Sequence, residues 1–170
     1  MQLDASTLAV LAQTPATLRS LLASLPPERV SAAGSEGWSP LDVVAHVLSI
    51  DEPILIGRLQ LIFNEDHPSL PNIGEELADI SGMRAWALGR LLDEFASQRA
   101  VHVAALQSLS AAELARGGRH ALAGDITVAD AIHHIAYHDL VHIQQICEML
   151  LVPIEQQRGA MRQAFPHNPG

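Results

Sequence analysis

The chain has a single cysteine, Cys147, so it forms no internal disulfide and no thiolate zinc cluster. Aromatic residues make up only 4 % of its 170 residues, and Ala, Leu, Ile and Val carry the 48 % that is apolar. Cationic residues are scarce too. Ten Lys and Arg stand against nineteen Asp and Glu, for a formal charge of −9, and the ten are dispersed. A phosphate-binding surface needs clustered Lys and Arg, so no nucleic-acid partner is expected. No apolar run reaches the roughly 18 residues that would span a membrane. The opening MQLDASTLAV lacks the basic start and apolar stretch of a signal peptide. The expectation is a cytoplasmic protein without a membrane partner. Period-two alternation long enough for a sheet is also missing, and there is no internal repeat.

The length suits one domain with a real core. Its Ala and Leu content favours helix, because neither residue loses much rotamer freedom there. The mean hydropathy of +0.17 suggests more apolar surface than a monomer hides, so a homodimer is expected.

Four long helices account for the pattern. Leu8, Leu11, Leu18, Leu21, Leu22 and Leu25 recur at three- and four-residue spacing between Leu3 and Leu25, with Pro15 as a kink or split and Pro26-Pro27 as the end. A loop rich in Gly and Ser leads to Trp38. Ser39-Pro40-Leu41-Asp42 then reads as an N-cap serine, a first-position proline and a capping-box acid, opening a helix to about Phe63 with Pro53 inside it. Residues 64–80 read as a long connection. A third helix is expected over 82–109, with Trp86, Leu88, Leu91, Leu92, Phe95, Val103 and Leu106 toward the core. Three glycines make 115–125 a loop. Thr127 and Asp130 repeat the capping box before a fourth helix that should stop near Leu151, ahead of Val152-Pro153. The domain is therefore placed at 1–153, a four-helix bundle, with 154–170 as a partly flexible tail.

Nine histidines are many for this length. His133, His134, His138 and His142 fall inside the fourth helix. Residues four apart project from nearly one face, so His134, His138 and His142 form a stripe offering two His-x-x-x-His pairs of the kind that hold zinc. A third ligand has to come from another helix. His46 lies mid-helix on an apolar face, and His102 is its rival. His67, His120 and His167 fall in loops or the tail.

The segments GWSPLDVVAHVLSIDEPILIGRL and TVADAIHHIAYHDLVHIQQI together resemble the DinB/YfiT-like family, across the whole chain. In that family a tryptophan and a capped second helix lead to one histidine, and a late helix supplies H-x-x-x-H. The resemblance implies an all-α, up-down-down-up four-helix bundle, often dimeric, binding one divalent ion, zinc or nickel, through His46, His138 and His142. It also implies a small-molecule partner. The activities it suggests are a thiol S-transferase using a low-molecular-weight thiol, or a hydrolase. The alternative is a metal- or ligand-binding stress protein without turnover.

On that reading His134 is a neighbour one turn earlier, and His133 packs elsewhere or is exposed. Gln144 and Gln145 read as surface amides or as groups orienting a ligand, and Trp38 as a plug at the helix entrance. Asp42, Asp51 and Glu52 are candidate bases or supports on the helix of His46, or else a solvated acidic flank. Cys147 lies off the ligand face in a small apolar role. His138-Asp139-Leu140-Val141-His142 also resembles the zinc-protease motif H-E-x-x-H with Asp for Glu. That motif needs a further downstream ligand, for which only His167 remains, and a surrounding sheet. Asp139 is therefore read as a surface residue or one standing behind the ligands. Di-iron carboxylate bundles require Glu-x-x-His, which the chain lacks.

Overall fold

The computed structural model describes residues 3–35, 37–70 and 79–164. In chain order its elements are α1 (Ala5–Leu22), α2 (Pro27–Val30), α3 (Pro40–Ile50), a π-helical segment (Asp51–Ile56), α4 (Gly57–Asn64), β1 (Ser69–Leu70), α5 (Leu88–Gln107), α6 (Ala111–Ala115), β2 (Gly117–His120), β3 (Gly124–Thr127), α7 (Val128–Gln157) and α8 (Met161–Ala164). The α3, π and α4 stretch is one continuous rod. With α1, α5 and α7 it forms the four-helix bundle expected.

The helices run up-down-down-up. Arg19 meets Asp93 while Leu11 meets Arg99, so α1 and α5 are antiparallel. Thr7 meets His133 and Thr14 meets Asp139, so α1 and α7 are parallel. Each of α1 and α3 packs on both α5 and α7. The first two helices are therefore diagonal, and α3 lies beside α7.

Two apolar halves fill the bundle. One gathers Leu18, Leu22, Val43, Val44, Leu91, Phe95 and Ile146, and the other Leu11, Leu55, Leu59, Ile62, Val103, Leu106 and Ile132. Between them lies a polar layer formed by Asp51, Arg99 and Asp139, each no more than 1 % exposed, together with His102.

Several boundaries differ from the sequence reading, for local reasons. Pro15 does not split α1, because the helix loses a single backbone bond there and keeps its buried face. Pro53 falls in the π-helical segment, where the Gly57 N–H bonds to the Glu52 carbonyl and the wider turn absorbs the missing donor. The third helix begins at Leu88 rather than 82, after turns over 81–86 that tuck Trp86 and Met83 against the core. The fourth runs through Pro153 to Gln157, since only the bond to Met149 is lost and helix-forming Glu and Gln follow.

Short strands accompany the bundle as well. A three-stranded sheet runs in the order β1-β2-β3, parallel then antiparallel, within stretches read as loops. Its strands are of two to four residues, too short for alternation to show. Glycine permits it: a side chain at Gly117 would drive into the Ile126 carbonyl. The rest of the connection, 71–78, lies outside the described residues. Among those described, no helix is long and apolar enough to cross a membrane.

Candidate metal centre

The capping boxes form as the sequence indicates. Ser39 and Asp42 exchange hydrogen bonds at the start of α3, and Thr127 and Asp130 do so at the start of α7. They fix where each helix begins, and hence which way His46, His138 and His142 point. With α3 antiparallel and adjacent to α7, the three imidazoles converge. His46 Nε2 lies 3.4 Å from His138 Nε2, which lies 3.0 Å from His142 Nε2. One ligand atom from each ring fits within a 4.8 Å span. Nitrogens bound tetrahedrally at zinc distances are about 3.3 Å apart, so these spacings fit the edges of such a polyhedron.

The surroundings suit neutral ligands. Burial holds His46 down at about 4, with the nearby His142 adding to the effect. Burial also holds His138 down at about 3, reinforced by His142 and His46. Both rings are therefore uncharged at neutral pH, the form that offers a lone pair to a metal. Gln145 Oε1 sits 2.8 Å from His142 Nδ1, which places the proton there and leaves Nε2 free. Among the described residues, the Nδ1 atoms of His46 and His138 are buried without a hydrogen-bond partner. Three rings with Nε2 atoms crowded together, and little to gain from mutual hydrogen bonding, fit a cation better than a polar core. Trp38 lies edge-on to His46, with ring centroids 5.0 Å apart.

The other nominated residues lie elsewhere. The rival His102 is buried on α5, 2.8 Å from Asp51 and 2.9 Å from Glu52. His134 is exposed and stacks on Tyr137, and His133 bonds Thr7 at 2.8 Å. His67 pairs with Asp125, and His120 accepts the backbone N–H groups of Leu122 and Ala123. His167 is outside the described residues. Asp42 serves its cap and Arg84. Gln144 bonds Glu148. Cys147 is half-buried and free. Asp139 is no surface residue: it is 1 % exposed and bound by Arg99.

Arg99 escaped the sequence reading. The signal was its place in the apolar stripe Leu92, Phe95, Arg99, Val103, Leu106, where a cation has no business without buried acids.

No curated protein matches the chain. Among solved structures, YfiT from Bacillus subtilis has a similar fold, with a TM-score of 0.75 and 21 % identity over 85 % of this chain and 83 % of that one. It is described as a probable metal-dependent hydrolase with an unusual four-helix bundle topology. The DinB superfamily model matches residues 11–146, a stretch that takes in all three converging histidines and the helix pair that presents them, and the chain belongs to that superfamily.

Proposed function

We propose that His46, His138 and His142 hold one divalent metal ion, zinc or nickel, and that the protein is a metal-dependent enzyme acting on a small molecule, with hydrolysis as the leading reaction. The observation that carries this reading is the convergence of three Nε2 atoms from two helices at ligand-to-ligand spacing. Three histidine ligands leave coordination positions open, and an ion held so would supply Lewis acidity toward a carbonyl group or water. The description of YfiT favours hydrolysis over thiol transfer.

The chain's own residues have separate tasks in this reading. Gln145 orients His142, and Trp38 shields one side of His46 from water. Asp42, Asp51, Glu52 and Asp139 are each engaged with other partners. His134 is exposed one turn before His138 on the same helix.

Elemental analysis of the purified protein, beside a His138→Ala, His142→Ala double variant, tests the metal. Near-stoichiometric zinc or nickel that is lost in the variant supports the site. Wild type that stays empty when both ions are offered refutes it. A screen of esters, amides and thiol acceptors then separates hydrolase from transferase, and bound metal with no turnover marks a binding protein.

A further inference from the structure

Resting on that metal reading, we infer that Arg99 is a positioning residue for the metal centre, fixing the register of the two ligand-bearing helices through Asp51 and Asp139. The guanidinium uses all of its donors. Nε lies 3.1 Å from both Asp51 oxygens, and Nη2 is 2.8 Å from Asp51 Oδ1 and 3.2 Å from Asp139 Oδ1. Nη1 donates to Asp139 Oδ2 and, at 3.2 Å, to the Leu11 carbonyl. One side chain on α5 thereby touches the other three long rods of the bundle.

The placement of its partners ties this cluster to the histidines. Asp51 follows His46 by five residues on one rod, and Asp139 adjoins His138 on the other. The Leu11 carbonyl is available because Pro15, four residues on, has no N–H to give it. A proline inside α1 thus opens the acceptor that Arg99 fills.

Apolar contacts above and below this layer are non-directional and tolerate small slides of one helix along another. A forked guanidinium between two carboxylates does not. A metal site is sensitive to displacements of about 0.5 Å. Burying these charges carries a desolvation cost that a well-packed apolar layer would avoid. Its return is geometric, delivered to the helix pair that carries the ligands.

The test uses cobalt(II), whose visible absorption reports coordination geometry, titrated into wild type and two variants with their thermal melts recorded. In Arg99→Met, Asp51→Leu, Asp139→Leu the polar layer is replaced by apolar side chains, and the variant is expected to fold, the relieved desolvation offset by the partners that His102 and the Leu11 carbonyl lose. In Arg99→Lys the charge stays but the fork is lost. In both, cobalt is expected to bind about 10- to 100-fold more weakly with an altered absorption band. A folded variant of either kind with wild-type affinity and spectrum overturns the positioning role and leaves the metal site standing. Wild type that takes up no cobalt overturns both.

Discussion

Acidifying the metal-free protein should expose the cost of burying two imidazoles that the fold keeps uncharged. His46 and His138 titrate at about 4 and about 3 in the folded chain, against 6.5 when solvated. Between those limits the unfolded chain binds two protons that the folded chain refuses, so stability falls as pH falls. At pH 5 each ring remains neutral in the fold while its unfolded counterpart is charged. Each then costs about 2 kcal/mol, at about 1.4 kcal/mol per pH unit below 6.5. Both rings are half-buried, so solvent reaching them trims the pair to about 3–4 kcal/mol, still a large share of the ~5–15 kcal/mol that holds a typical domain. Urea unfolding with a chelator present, at pH 7.5 and pH 5, would measure the change. The same pair of measurements on a His46→Ala, His138→Ala variant removes the titrations that the two proteins share. A wild-type loss within about 1 kcal/mol of the variant's would refute the account.

His102 has the opposite sign. Its hydrogen bond to Asp51 raises its pKa, so its contribution is full below 6.5 and is lost as pH climbs through the folded value; the decline in urea midpoint above pH 6.5 should flatten in His102→Gln. Gln145→Ala should weaken zinc binding about 10- to 100-fold in a competition titration while leaving the apo melt nearly unchanged, because it removes the acceptor that orients His142. Gly117→Ala should cost about 1–3 kcal/mol in urea unfolding, since its methyl group meets backbone at Ile126, and a neutral result would refute the close pairing of β2 and β3.

The legible parts of this molecule are those with local periodicity or local capping. The two capping boxes, the apolar stripe of α5 from Leu91 to Leu106 and the four-residue spacing of His138 and His142 are short-range patterns, and the structure realises each. Pairing His46 with them needed the family resemblance, because spacing left His102 open and nothing local says which helix lies beside α7. Arg99 was missed, and Asp139 was left between the surface and a place behind the ligands. Their pairing is not a local pattern, since the partners lie 40 residues apart. The small sheet was hidden by strand length, and Gln145 by the ambiguity of any amide on a half-exposed helix face.

The prolines show how local rules depend on what surrounds them. Each of Pro15, Pro53 and Pro153 removes a backbone donor from a helix, and a reading confined to the segment expects a break, a bend and a stop. Instead, the orphaned Leu11 carbonyl gains an arginine from another helix, the turn around Pro53 widens, and α7 runs on by one short turn. The first two outcomes converge on the polar layer, since the widened turn begins at Asp51 and the freed carbonyl is bound by Arg99. The bundle's irregularities therefore lie where its two apolar halves meet, one layer from the histidines. A perfectly regular α1 would leave Arg99 one acceptor short, and a regular turn at Asp51 would aim that carboxylate elsewhere. In this fold the departures from ideal helix are what allow a charged layer to be buried beside the candidate metal centre.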